Sequence, residues 1–230
     1  MRDIKLIRKI QSHLREHGLL GLWREALSRV YERTEFVVMQ RDLRDPPMEV
    51  RCAVPFLLRR IGDDEISRFK DMPAPFPRNY QYRFDYGQRH CYGAFVGDRI
   101  VALMWPVFHA DNKRVVSRWR LLLPDEARLS SIWADPEFRG TGLMDACIEK
   151  FAVFLKEQGY RYLYAMTWVG NESSIRLHKR RGFVIAGKAA RHSFRWQKDG
   201  HGFYVRDKIV RESFRDTHQT KDSNLPEFIR

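Results

Sequence analysis

The chain has 230 residues, 43% of them hydrophobic and 13% aromatic, enough apolar side chain for a sizeable core and too much for a disordered tract. Cys52, Cys91 and Cys147 are odd in number and include no C-x-x-C pair, which argues against a disulfide framework or zinc site and for a reducing, cytoplasmic setting. No apolar run is long enough to cross a bilayer and no signal-peptide core follows Met1, while a net charge of +13 favours an anionic partner: nucleic acid, a phosphorylated substrate or an anionic membrane surface.

Residues 3–33 read as one or two basic amphipathic helices. Ile4, Ile7, Ile10 and Leu14 recur at helical spacing among Lys5, Arg8, Lys9 and Arg15, and after Gly18 and Gly21 the pattern resumes with Leu22, Trp23, Leu27 and Val30. Such a face suits peripheral attachment at the inner face of a membrane. The preferred reading is nevertheless a helix packed on the domain, or on a second copy of the chain in a homodimer, with the membrane reading second. Residues 35–43 read as a short strand. Pro46-Pro47 then closes this extension, so that 1–47 is set apart from a domain over 48–212.

In that domain, residues 49–57 are expected to form a strand, 63–71 a short helix capped by Asp63 or Asp64, and 72–78 a proline-rich loop. Tyr80, Tyr82, Tyr86, Tyr92 and Trp105 either line an acceptor pocket or fill the core. Residues 90–96 and 99–107 form a hairpin about Gly97-Asp98, and 115–123 is a further strand or an insertion. After an apolar run over 129–134, a helix over 141–158 buries Leu143, Cys147, Phe151, Phe154 and Leu155 and ends at Gly159. Residues 160–168 are almost continuously apolar, as a strand covered on both faces should be. A helix over 171–181, a strand from 183, a last hairpin of 192–196 with 203–210 and a loose polar tail over 213–230 complete the chain.

Two stretches carry the chemistry. The first is Arg139-Gly140-Thr141-Gly142-Leu143-Met144-Asp145, a tight glycine turn between a strand and a helix. A helix N-terminus has undonated N–H groups and the positive end of the helix dipole, so it accepts phosphate. Glycines at 140 and 142 let backbone approach a pyrophosphate, and Arg139 adds a positive charge at the mouth. The dinucleotide fingerprint G-x-G-x-x-G fails at Asp145, and the P-loop G-K-[ST] is absent. From these residues alone, a phosphate cradle and an ordinary glycine-rich connection are equally good readings. The second stretch is Asn171 to Phe183, in which Asn171, Ser174 and His178 are three and seven residues apart and share one helical face.

Taken together, in this order and at this separation, the two stretches resemble the GNAT superfamily of acetyl-CoA-dependent N-acyltransferases. Arg139 and Gly142 match its R/Q-x-x-G-x-G/A motif, with Met144 where a small residue is usual. Asn171, Ser174, Gly182 and Phe183 match the second motif, with His178 where tyrosine is commoner. The resemblance spans about residues 49–210. It implies an α/β fold: a mixed, mostly antiparallel sheet with splayed strands flanked by helices, here with the amphipathic N-terminal extension added.

The resemblance further implies acetyl-CoA or another acyl-CoA as co-substrate, no metal, and a small-molecule amine as acceptor. Backbone groups of Ile132, Trp133 and Ala134 would pair with the pantetheine arm, and the N–H groups of Gly140, Thr141, Gly142, Leu143, Met144 and Asp145 would take the pyrophosphate. Asn171 and Ser174 would contact the cofactor arm, and His178 would protonate the departing thiolate. That last role requires a protonated imidazole, so a pKa near or above the ordinary histidine value. No general base is assigned. Asp125 and Glu126 precede the strand, and His90, His109 and His192 lie elsewhere. The basic charge and the amphipathic N-terminus favour an amino-sugar or surface-glycan precursor as acceptor. A non-catalytic acyl-CoA sensor of this fold is the alternative, because Met144 and His178 depart from the motifs. A nucleic-acid-binding protein would explain the charge but has no recognition motif here.

Overall fold

The computed structural model describes residues 31–67, 69, 90–113, 122–194, 203–206 and 228–229, together with Gly18. The expected amphipathic helices, the aromatic segment 80–86 and most of 115–123 lie outside these residues. Of the span read as helical, Tyr31, Glu32 and Arg33 are strand.

One sheet organises the described chain. Its strands are β1 (Tyr31–Asp42), β2 (Leu57–Arg60), β3 (Tyr92–Val96), β4 (Arg99–Val107), β5 (Glu126–Ala134), β6 (Tyr162–Trp168), β7 (Val184–Phe194), β8 (Phe203–Arg206) and β9 (Phe228–Ile229). Their order across the sheet is β8-β7-β1-β6-β5-β4-β3-β2-β9. Seven strands form the body and the short β8 and β9 extend its edges. The strand pairs are antiparallel except β5 with β6, which run parallel. The helices are α1 (Asp63–Ser67), α2 (Leu143–Glu157) and α3 (Glu172–Arg180).

Locally coded elements fall where the residues ask for them. Gly97, at φ +57°, turns the β3–β4 hairpin. The α2 stripe Leu143, Cys147, Phe151, Phe154 and Leu155 is buried against Met39, Tyr92, Met104 and Leu163 of the sheet. On the opposite face Trp105, Leu103 and Cys91 pack with Ile61, Ile66 and Phe69. The two aromatics in this region that a pocket could have used are core: Tyr92 and Trp105 are both fully buried, and Tyr92 stacks 5.1 Å from Phe151. Burial also raises the pKa of Cys91 and of Cys147, which keeps both as inert thiols.

Three expectations are corrected. Residues 49–56 are not strand, since β2 begins at Leu57; instead Ala53 N–H donates to the Thr141 carbonyl (2.9 Å) and braces the glycine turn. The strand placed ahead of the domain is inside the sheet, because β1 pairs with both β6 and β7. Arg41 of β1 also reaches Glu149 of α2 in a buried bidentate ion pair of 2.7 and 2.8 Å, and Glu149 takes the Met48 N–H as well. Pro46-Pro47 therefore connects parts of one sheet. Finally, Phe228–Ile229, in the stretch read as a loose tail, pairs with Leu58 and Arg59 of β2.

Candidate active site

The site opens where β5 and β6 part. Their parallel ladder runs from Glu126↔Tyr162 to Leu129↔Ala165 and stops. At the same point the β4–β5 register shifts: Trp105 faces Ser131 and Pro106 faces Leu129, so Ser130 is an extra residue on β5. A bulge bends its strand and increases its twist. Pro106, which has no N–H to give to a ladder, is tolerated there. The bulge turns Ser131 to Ala134 away from β6 and leaves two joined spaces.

The larger space is a cleft of about 860 Å³. One wall is Ile132, Trp133 and Ala134 of β5; the floor is Phe138, Arg139, Gly140, Gly142, Leu143, Met144 and Asp145; the other wall is Asn171, Ser173, Ser174, Leu177 and Arg180. Asp135 accepts the Glu137 N–H in a short 3-10 turn that ends the strand, and Arg99 pins Asp135 at 2.7 Å. Gly140 and Gly142 then both adopt φ +80°, and α2 starts with no side-chain cap. Leu143 N–H reaches the Thr141 hydroxyl at 3.4 Å, and the N–H groups of Met144 and Asp145, which also line the cleft, have no acceptor within the helix. Arg139, exposed at the mouth, donates to the Ala134 carbonyl at 3.3 Å. The one carboxylate in the cleft, Asp145, is matched by Arg180 at 3.2 Å and Arg181 at 3.1 Å. The floor is consequently suited to an anion.

The smaller space, about 160 Å³, is the slot between the splayed strands, lined by residues 129–132 of β5, 165–168 of β6, and Asn171, Ser174 and His178. Ile132, Asn171 and Ser174 belong to both spaces. Asn171 caps α3, its side-chain oxygen accepting from Ser174 N–H (3.2 Å) and Ser173 Oγ (2.9 Å). His178 is buried, packed edge-on to Phe183 with ring centres 5.0 Å apart. Its Nδ1–H donates to the Ser174 carbonyl at 2.8 Å, and Nε2 is buried with no hydrogen-bond partner. Burial pushes the His178 pKa below the usual 6.5, although the Ser174 carbonyl pulls the other way. Burial therefore works against the imidazolium form that the donor role expected from the sequence requires.

A splayed parallel pair, a glycine turn feeding a helix N-terminus and a polar helix across the cleft are what the two motifs required together. A profile of the Acetyltransferase (GNAT) family matches residues 60–183, more than half of the chain. The chain belongs to the GNAT acetyltransferase family. Among solved structures it is similar to a GNAT-family protein from Novosphingobium aromaticivorans, at 21% identity and TM-score 0.50, over 72% of this chain and 66% of that one. It is also similar to the glucosamine N-acetyltransferase region of a fungal multi-domain β-N-acetylglucosaminidase, at 15% identity and TM-score 0.51, over 75% of this chain and 23% of that one. The chain thus spans just under two thirds of the first structure and about a quarter of the second. No curated protein sequence gives a significant match.

In this GNAT domain the structure gathers nearly every residue singled out from the sequence. Ile132, Trp133, Ala134, Arg139, Gly140, Gly142, Leu143, Met144, Asp145, Asn171 and Ser174 line the cleft, and His178 the adjoining slot. Thr141 does not line it, because its hydroxyl donates to the Phe138 carbonyl at 2.7 Å. Sequence reasoning missed Phe138, Ser173, Leu177 and Arg180. The last three were detectable: they recur at four and three residues along α3, which places them on one face. The histidines left open as bases lie elsewhere. His90 faces Asp111 at 3.6 Å, His109 bonds the Leu122 carbonyl at 2.8 Å, and His192 bonds Tyr31. Glu126 is buried at the paired end of β5, accepting from Leu123 N–H and Tyr164 Oη. Among the described residues no cluster of His, Cys, Asp and Glu could hold a metal, and no helix is long and apolar enough to cross a membrane.

Proposed function

We propose that this GNAT protein is an acetyl-CoA-dependent N-acetyltransferase that moves the acyl group to a primary amine by direct attack. The observation that carries the reading is the junction of the two spaces: an anion-suited helix N-terminus opens, through Ile132, Asn171 and Ser174, onto a slot with a buried imidazole. In this reading the pyrophosphate sits on the backbone N–H groups of residues 140–145 beside Arg139. The pantetheine arm runs along Ile132, Trp133 and Ala134, opposite Asn171 and Ser174. The acyl carbonyl then reaches the slot, where the amine meets it from the far side. A nitrogen–carbon bond forms, the carbon–sulfur bond breaks, and an N–H donor at the splay stabilises the intermediate oxyanion. Closing the slot with protein rather than water strengthens each of these interactions.

For the acceptor we favour an amino sugar or surface-glycan precursor. The net charge of +13 suits acceptors carried on phosphate, and the slot offers hydroxyl and amide groups beside Trp168. The basic N-terminal segment would keep such an enzyme at the cytoplasmic face of a membrane. The test is calorimetric titration with acetyl-CoA, then free-thiol release with amino sugars (glucosamine first), polyamines and peptides. Turnover with one class identifies the acceptor. Binding without turnover on any amine would favour a non-catalytic acyl-CoA sensor, and absence of binding would sink the cradle assignment.

A further inference from the structure

Resting on that transfer reading, we propose that His178 carries a single proton from the attacking amine to the departing sulfur, acting first as acceptor and then as donor.

Direct attack releases one proton from nitrogen and needs one at sulfur, so some group near both must take the first or supply the second. Among the described residues lining the slot, His178 is the one titratable side chain; its companions are Leu129, Ser130, Ser131, Ile132, Asn171 and Ser174, with 165–168 of β6. Among the described residues, no ionised side chain is among the causes acting on its pKa. Ser174 lies on its own helix, Phe183 follows that helix, and the strands bring apolar or hydroxyl groups. The imidazole is fixed in one tautomer. A carbonyl can only accept, so the 2.8 Å contact to Ser174 O places the proton on Nδ1 and leaves the lone pair on Nε2. That lone pair is buried without a partner, a costly state unless the bound complex supplies a donor. The amine N–H is such a donor, and afterwards the sulfur is the acceptor.

The step balances. As nitrogen bonds the acyl carbon, its proton passes to Nε2 and the ring becomes imidazolium. The carbon–sulfur bond then breaks with its electron pair leaving on sulfur, and Nε2–H returns the proton to give the CoA thiol and the neutral ring. Burial disfavours the imidazolium, so the ring gives the proton up readily. A tyrosine at 178 would serve only the second half, since a phenol is neutral until well above physiological pH.

The experiment compares wild type, His178→Gln and His178→Tyr in the full chain. The acceptor is whichever amine turns over, and calorimetric acetyl-CoA binding serves as the fold control. Histidine 15N NMR, with and without CoA, reads the ring state independently of turnover. Expected are a neutral Nδ1-protonated ring at pH 7, an acidic limb in the wild-type kcat profile, and a kcat loss of about 100-fold or more in both variants with that limb gone. A His178→Tyr variant that restores kcat would overturn the shuttle in favour of a donor alone, as would a ring protonated on both nitrogens at pH 7. Wild-type turnover bears on the transfer reading and the profile shape on the shuttle, so the two fail separately.

Discussion

Gly140 and Gly142 share a backbone conformation, φ +80°, but differ in what surrounds them, and this separates folding from binding. An L side chain in the left-handed region costs about 1–2 kcal/mol, so alanine at either position carries that penalty. At 142 the added Cβ would also stand 2.1 Å from the Arg51 carbonyl oxygen and 3.2 Å from its carbon. Those are backbone atoms, tied to the same turn by the Ala53 N–H to Thr141 carbonyl bond, so either the turn or residues 51–53 must move. Overpacking of this kind adds about 1–3 kcal/mol. At 140 a Cβ would meet nothing within 4 Å, and the residue lies on the cleft floor where the ligand approaches. Gly140→Ala is therefore expected to lose about 1–2 kcal/mol, a Tm drop of roughly 2–8 °C for a chain this size. Its acetyl-CoA affinity should fall about tenfold or more, since a methyl group displaces phosphate from the N–H groups. Gly142→Ala is expected to lose roughly 2–5 kcal/mol of stability. Urea unfolding and calorimetric titration of the two variants decide it. Equal unfolding midpoints would refute the bracing of the turn by residues 51–53, and unchanged affinity in Gly140→Ala would refute the cradle.

Three further outcomes follow from named contacts. Arg41→Met leaves Glu149 as an uncompensated buried charge and is expected to cost about 3–5 kcal/mol in urea unfolding, part of which Glu149→Met on the same chain restores. The lowered His178 pKa has a definite sign: the unfolded chain takes up the proton first, so stability is full above 6.5 and declines as pH falls from there to the lower folded value. Urea midpoints of His178→Gln should lack that step, and a wild-type curve flat through the window would contradict the burial argument. Arg180 is more than half exposed and reaches Asp145 over the cleft floor, so Arg180→Gln should weaken acetyl-CoA binding in low salt, less so in high salt, with kcat unchanged. A kcat loss instead would move Arg180 from binding into the chemistry.

What was legible in the sequence was whatever a short stretch decides by itself. The α2 stripe, the Gly97-Asp98 hairpin, the glycine turn and the Asn171 cap need only local periodicity or local turn chemistry, and the cleft inherits its residues from them. What was not legible depends on partners far along the chain. The position of β1 rests on pairing with residues over a hundred positions away, and the Arg41–Glu149 pair spans 108 residues. Residues 51–53 alternate well enough for a strand, yet the glycine turn claims their backbone. The Ser130 bulge leaves no compositional trace beyond Pro106 on the neighbouring strand. The direction of the His178 pKa shift follows from its burial, which no spacing rule supplies.

These long-range features account for the slot between β5 and β6. Two adjacent parallel strands would ordinarily continue their ladder, since a buried backbone N–H or C=O needs a partner. Here each strand is held on its other edge. β6 pairs along its whole length with β1, from Phe36↔Trp168 to Asp42↔Tyr162, and β5 beyond the bulge pairs with β4, from Trp105↔Ser131 to Ala102↔Ala134. Closing the slot would require one of those ladders to slip, and a one-residue slip turns every side chain to the opposite face. On β1 that would expose the buried Met39 and swing Arg41 away from Glu149. The splay is thus fixed by the register of its outer neighbours, and the N-terminal strand belongs to the architecture of the active site.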